Sequence, residues 1–295
     1  EGQKDIEKKS IKTTSIYSLK SDPLRMLRAF RFAATLKFTI DEKTLKEISI
    51  NKEDILVTAK ERVWQEFFNF FSASNTGKLI RAMKETGLLL CLLPSPFPDW
   101  NKMSIHYNRL EHILLNIDSY FPGGNLNLQE KALIKFALLL KEIDSNPLEN
   151  TNNKNLGPPN TYKFLRSLKV SNNDITFICK SIQNFHFLST SLSSKLNDSS
   201  LYDICATCED KLIPGLLLQT CTLTFPDKWE NKENEKLISY TKILNFYYLR
   251  YLPALEEKAL LNGDDLIKIF NITPSPKLGE ALQNIQRAQI LGNIK

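Results

Sequence analysis

The sequence predicts an all-α fold, and two observations carry that expectation. Apolar residues recur three and four positions apart through nearly every segment, which is the period of a helix face. No stretch alternates apolar and polar residues over the length of a strand. At 295 residues the chain can bury a real core and suggests about two domains, or a run of small helical modules. With 42% hydrophobic and 24% charged residues it is not a wholly disordered chain. No apolar run approaches the ~20 residues that a membrane-spanning helix needs.

Residues 1–20 read as an exposed, charged lead-in. From Ser21 to Leu36 the spacing predicts a helix, with Asp22 as N-cap and Pro23 at the first helical position, where its missing N–H costs nothing. Leu24, Leu27, Phe30 and Ala34 share its inner face. Residues 37–40 form a short connector, after which Asp41 caps a helix that turns Leu45 and Ile48 inward. Thr58 to Phe71 is helical with Val63, Phe67, Phe70 and Phe71 inward, so its phenylalanines, Phe68 included, read as core rather than as a base-stacking platform. Gly77 to Leu93 follows, interrupted by Gly87 and ended at Pro94. His106 to Tyr120 and Gln129 to Ile143 are expected helices joined by a Pro-Gly-Gly-Asn turn at 122–125.

The polar stretch 146–160, rich in Asn, Pro and Gly, reads as a linker. Beyond it, helical period marks 162–168, 172–187, 199–208, 213–223, 233–251, 264–270 and 278–291. The expected division is 1–75, 76–145, the linker 146–160 and 161–295.

The formal charge of +6 is mild. Residues 1–62 hold 14 Lys and Arg against 10 Asp and Glu, a basic bias compatible with phosphate contact. Five cysteines, an odd number in a chain too large to need stapling, point to reduced thiols and a cytoplasmic setting. The first residues carry neither a starting Met nor the apolar segment of a signal peptide, so the chain reads as a piece of a longer protein.

Asp22 and Arg25 lie three apart, which brings an acceptor-only carboxylate beside a forked guanidinium on one helix turn. By itself that is a surface ion pair on an amphipathic helix. The surrounding residues add more. Asp22 to Leu36, D-P-L-R-M-L-R-A-F-R-F-A-A-T-L, resembles the neck motif of the class II tRNA nucleotidyltransferase (CCA-adding enzyme) and bacterial poly(A) polymerase superfamily. Gly2 to Ile6 resembles the glycine-aspartate motif before that neck, Phe38 to Leu45 its F-x-I-D-x-x-T-L turn, and Glu61 to Glu66 its E-R-I-x-x-E motif. Residues 261–266 and 278–292 resemble the tail signature more loosely. The chain departs from the pattern at Ser21, where the family has an acidic residue, and at Trp64, where it often has Arg.

The resemblance implies an elongated all-α array of neck (1–75), body (76–145) and tail (161–295). It implies that Asp22 and Arg25 act as a protein template for the incoming nucleotide, with Arg28 beside them and Arg31, Arg62 and Glu66 in support. Cytosine and adenine both present an exocyclic amine beside an unprotonated ring nitrogen. A carboxylate accepts from the first and a guanidinium donates to the second, whereas uracil and guanine mismatch both contacts. The expected substrates are CTP and ATP, and the expected partner is the 3′ end of tRNA or another RNA. The family's catalytic carboxylates hold Mg²⁺ on a head bearing Gly-Gly…Asp-x-Asp, a pattern that residues 1–295 do not contain, so no catalytic residue is expected in this chain. The close enzymatic alternative is a bacterial-type poly(A) polymerase; the other is a non-catalytic RNA-binding protein that has lost its head.

Arg62 and Glu66 are also spaced as a plain i, i+4 surface pair. Lys163, Arg166 and Lys169, three apart on one helix, are candidates for RNA-backbone contact or simply a solvated basic face. Family members with a metal-dependent phosphohydrolase domain carry A-L-L-H-D-I. Here Lys141 and Glu142 replace the His-Asp pair within A-L-L-L-K-E-I, and a protonated lysine offers a metal no lone pair. No metal site is expected. His106, His112 and His186 read as packed or surface residues, and the lone C-x-x-C at Cys205 and Cys208 as core packing.

Overall fold

The computed structural model describes residues 2–15, 17–74, 76–94, 100–121, 125–144, 158–192, 196–223, 231–257, 260–270 and 276–294. The chain forms two compact units, Glu1–Phe187 with Ile213–Thr222, and Leu188–Leu212 with Leu223–Lys295. In chain order the helices begin with α1 (Gly2–Glu7), α2 (Ser18–Ser21), α3 (Arg25–Leu36), α4 (Glu42–Asn51), α5 (Lys60–Ser72) and α6 (Thr76–Glu85). They continue with α7 (Leu88–Leu92), α8 (Trp100–Leu115), α9 (Ile117–Tyr120), α10 (Leu128–Leu140), α11 (Pro159–Ser167) and α12 (Asn172–Ser191). The last six are α13 (Asp198–Cys208), α14 (Leu212–Thr222), α15 (Asn231–Phe246), α16 (Leu252–Glu256), α17 (Gly263–Phe270) and α18 (Pro276–Ile290). The all-α class holds, with one addition: β1 (Ser10–Ile11) and β2 (Thr39–Ile40) pair in parallel, two residues each. Two residues are too few for any alternation to register in a sequence.

That pairing changes the reading of the lead-in. Its described residues are tied down rather than free: the backbone N–H groups of Thr39 and Asp41 donate to the Lys9 and Ile11 carbonyls. Further along, the Thr13 hydroxyl donates to Glu47 at 2.7 Å, and Ser18 and Leu19 are buried. The helix expected from Ser21 also starts later. Its first helical residue is Arg25, and Asp22 caps the end of α2 instead. Pro23 and Leu24 form the turn between α2 and α3. Met26, Leu27, Phe30, Ala33 and Ala34 are buried, so the apolar stripe is the expected one. Asp41 caps α4 through the Lys43 N–H as expected, with Ile48 fully buried.

α5 supplies the aromatic centre of the first unit. Phe67, Phe70 and Phe71 are at most 1% exposed, and Phe67 and Phe71 both lie against Phe136 of α10. Trp64 packs on the same Phe136 ring, 5.3 Å between centroids, so an apolar contact stands where the family pattern often has a guanidinium. α10 opens with a capping box, Asn127 with Glu130, and every residue from Ala132 to Leu140 is buried. The expected helix 77–93 is two helices, because Gly87 sits at φ +78, a left-handed conformation that glycine reaches without strain. At Gly77, α6 crosses α8 so closely that an added Cβ would lie 2.4 Å from the Asn108 side-chain oxygen.

A buried polar network joins these helices. The Glu111 carboxylate accepts from both the backbone N–H and the hydroxyl of Thr76, each at 2.6 Å. Lys135 reaches the same carboxylate at 3.3 Å and donates to the Ala73 carbonyl at 2.6 Å. The Tyr107 hydroxyl donates to the Lys135 carbonyl. Each of these charged groups is satisfied, which is the condition for burying it at all.

Most of the expected linker, 145–157, lies outside the described residues, as does 122–124 of the turn. Its two flanks are joined: buried Asp144 accepts from the backbone N–H groups of Asn160 and Thr161, capping α11 from across the gap. The first unit therefore runs past the stretch and includes α11 and most of α12.

Near Lys141, burial lowers the pKa of His106 to about 4, helped by the charges of Lys141 and Arg109. Burial also lowers that of His186, against the opposing effect of its hydrogen bond to the Lys141 carbonyl. Both rings are neutral in the fold and take up protons more readily once it opens. Their contribution to stability is present above the unfolded value of 6.5 and is lost as pH falls from there towards 4. The melting temperature is expected to drop across that window, and His106→Gln to flatten part of the drop; an unchanged pH profile in the variant would contradict this.

In the second unit α13 opens with a second capping box, Asn197 with Ser200. Arg287 of α18 bonds Asp203 and Ser199 of α13, while Arg250 bonds Asp198 and the Ile290 carbonyl. α15 runs into a π-helical segment, Tyr247–Tyr251, whose Tyr247 and Tyr251 rings stack.

Candidate functional site

The charged residues singled out in the sequence converge on the start of α3. Asp22 is held by three guanidiniums: Arg28 at 3.4 Å, Arg62 at 3.7 Å and Arg25 at 3.9 Å. Glu66, on α5 and almost fully buried, splits its two carboxylate oxygens between Arg28 at 3.0 Å and Arg31 at 2.7 Å. The i, i+4 alternative for Arg62 and Glu66 gives way to these longer-range partners. Arg28 is thus the bridge from the Asp22 turn to α5, with Glu66 as its fixed end. Arg31 is further steadied by lying 4.0 Å over the Phe32 ring.

Arg25 is set differently. Its Nη1 donates to the Ser18 carbonyl at 3.0 Å and to the Ser21 hydroxyl at 3.4 Å, while Nε faces Asp22. Nη2 has no partner among the described residues. The Arg25 side chain is 48% exposed, and with Arg28 it edges an open groove whose other walls include Ile11, Thr13, Phe32 and Thr44. A carboxylate with lone pairs to spare and a guanidinium with a free edge therefore stand side by side, which is the pair needed to read an amine beside an unprotonated ring nitrogen.

Sequence spacing singled out Asp22 and Arg25, and the family resemblance added Arg28, Arg31, Arg62 and Glu66; neither found the Ser18 carbonyl, which has no side-chain signal. Both also missed the turn that aims Arg25. The departure at Ser21 falls on this same contact: where the family pattern has an anion, a neutral hydroxyl takes its place beside the guanidinium.

Away from this cluster, Lys163, Arg166 and Lys169 are all exposed. They do not share one helix. α11 ends at Ser167, and Lys169 follows it in a left-handed conformation at φ 59. Arg166 donates to Asn172 at 2.9 Å, leaving its charge unneutralised by that contact. Lys141 is buried, paired with Glu142 and 5.2 Å from the Phe185 ring. Cys205 and Cys208 are buried thiols pushed up to about 12, which makes them poor ligands and nucleophiles. Among the described residues no three His, Cys, Asp or Glu side chains converge as metal ligands, so the residues at hand do not fit a Mg²⁺ site.

Comparison with known proteins places these residues in context. The family described as tRNA nucleotidyltransferase domain 2 matches residues 153–295, and that described as the RNA and SrmB-binding site of polymerase A matches 37–98. The chain is 22% identical to the A-adding tRNA nucleotidyltransferase of Deinococcus radiodurans, over 99% of its own length and 70% of that protein's. Over 32% of its length it is 39% identical to the multifunctional CCA protein of Neisseria meningitidis, covering 22% of that protein. The fold matches that of the Thermotoga maritima CCA-adding enzyme solved with tRNA, with a TM-score of 0.66 at 19% identity. That match takes in 100% of this chain and 63% of the other.

Proposed function

We propose, on the premise that this chain belongs to the class II tRNA nucleotidyltransferase and poly(A) polymerase superfamily, that it is the nucleotide-selecting and RNA-binding portion of an enzyme adding C and A to tRNA 3′ ends. The observation that carries the reading is Arg25 at the edge of an open groove with the Asp22 carboxylate beside it, the pair braced by Arg28, Arg31, Arg62 and Glu66. Asp22 accepts from the exocyclic amine of cytosine or adenine, and Arg25 donates to the neighbouring ring nitrogen. CTP and ATP are the substrates. U and G each leave two polar groups mismatched, at about 1–3 kcal/mol per buried group, enough to reject both.

The chain spans 61–64% of the solved CCA-adding enzymes that share its fold. The Mg²⁺-binding carboxylates that such a reaction needs are assigned to a head of the kind the family carries, not to any residue described above. Residues 1–75 form the neck, 76–145 the body and 161–295 the tail, and the tail grips the tRNA by shape and backbone charge, Lys163, Arg166 and Lys169 among its contacts. No helix is long and apolar enough to cross a membrane among the described residues, and the proposed setting is the cytoplasm.

The test has two parts. This chain alone, with Mg²⁺, CTP, ATP and tRNA, is expected to bind tRNA with an affinity that falls steeply with salt and to incorporate nothing. The full-length protein is expected to end its tRNA products in C and A. Measurable incorporation by the chain alone would overturn the assignment of the carboxylates. A flat salt response would overturn the backbone contacts. Long A-tails on unstructured RNA would favour the polymerase reading, which the match to polymerase A over residues 37–98 keeps in view.

A further inference from the structure

We infer that Ser21 is a positioning residue for nucleotide choice, acting through Arg25. The inference rests on the template reading above and concerns how the guanidinium is aimed. Three contacts define the plane of Arg25: the Ser18 carbonyl at 3.0 Å, the Ser21 hydroxyl at 3.4 Å and the Asp22 carboxylate at 3.9 Å. The first two are hydrogen bonds that meet at Nη1, while the third is an ion pair facing Nε beyond hydrogen-bond distance, which leaves Nη2 as the edge offered to a ligand. Ser21 is itself oriented, because its hydroxyl donates to the same Ser18 carbonyl at 3.0 Å. Its one hydrogen is spent there, so an oxygen lone pair is what faces Arg25.

This closed triangle of Ser18 carbonyl, Ser21 hydroxyl and Arg25 Nη1 sits on the last turn of α2, whose carbonyls lack helical partners and favour a cation. Of the three contacts only the Ser21 hydroxyl can be removed without touching the backbone or the proposed base-reading carboxylate. Without it, the half-exposed guanidinium keeps one strong acceptor and rotates about that bond. Nη2 then reaches a carbonyl of uracil or guanine as readily as the ring nitrogen of cytosine or adenine. Serine in place of a carboxylate makes the aim a matter of hydrogen-bond direction rather than of charge.

The experiment is steady-state incorporation of each of the four nucleotides by the full-length protein, as wild type, Ser21→Ala, Ser21→Thr and Arg25→Ala, with tRNA affinity and melting temperature measured alongside. Ser21→Ala is expected to lower discrimination of CTP over UTP and of ATP over GTP by about two- to five-fold, the worth of one modest hydrogen bond. Ser21→Thr, which keeps the hydroxyl, is expected to restore it, with tRNA affinity and melting temperature unchanged in both. Full discrimination in Ser21→Ala beside a loss in Arg25→Ala would overturn the role of Ser21 and leave the template reading intact. Full discrimination in Arg25→Ala would overturn both.

Discussion

Arg25→Ala in the full-length protein is expected to raise incorporation of U and G relative to C and A by about 10- to 100-fold in kcat/KM ratio, while changing tRNA affinity far less. The magnitude follows from what is removed. A site built to donate to an unprotonated ring nitrogen rejects a base that presents an N–H there, because the misfit leaves polar groups unpaired at about 1–3 kcal/mol each. With the guanidinium gone, only the Asp22 half of the test remains. The fold has little to lose: the Arg25 side chain is about half exposed and its partners are the neighbouring turn, not the core. Arg28 is the contrasting case, since it bridges Asp22 and Glu66 and its loss would move the template itself. A variant that kept the C and A preference would remove Arg25 from the template role.

The second large effect concerns stability. Glu111→Ala is expected to destabilise the first unit by about 3–5 kcal/mol, read by chemical denaturation. The carboxylate takes three contacts, from the Thr76 N–H, the Thr76 hydroxyl and the Lys135 ammonium, and its removal strands a lysine that is 7% exposed. Burial already lowers the pKa of Lys135, so the environment penalises its charge even with the partner present. Removing both ends is expected to cost less than removing one: Glu111→Leu with Lys135→Met should recover much of the loss, since no unpaired ammonium remains. A single-mutant loss below about 1 kcal/mol would show the network to be incidental.

Helix positions were legible wherever one face carried an apolar stripe. α4, α5 and α10 fall where the period puts them, α4 with its expected Asp41 cap, and α3 keeps its apolar stripe although it starts at Arg25, because the period is local and repeats within each turn. The misses have causes that helical period does not carry. Asp22 reads as an N-cap, a role common for Asp before a proline, yet α2 and the following turn draw it to the end of the preceding helix. The β1–β2 pairing and the Thr13–Thr44 hydrogen bond join residues some thirty positions apart. At the site, the pair proposed to read a base was visible as a spacing of three, but the contacts that brace it were not.

By itself, then, the sequence determined that the chain is helical, which faces are apolar, and that Asp22 and Arg25 share one turn. Only the tertiary structure decided that Glu66, 38 and 35 residues along the chain from them, clamps Arg28 and Arg31, that Arg62 turns to Asp22, and that a serine hydroxyl and a backbone carbonyl hydrogen-bond Arg25. The physical reason is range. Helical period and i, i+3 spacing are written in adjacent residues, whereas the partner of a charge is chosen by which helices pack together, and a main-chain carbonyl leaves no letter in the sequence.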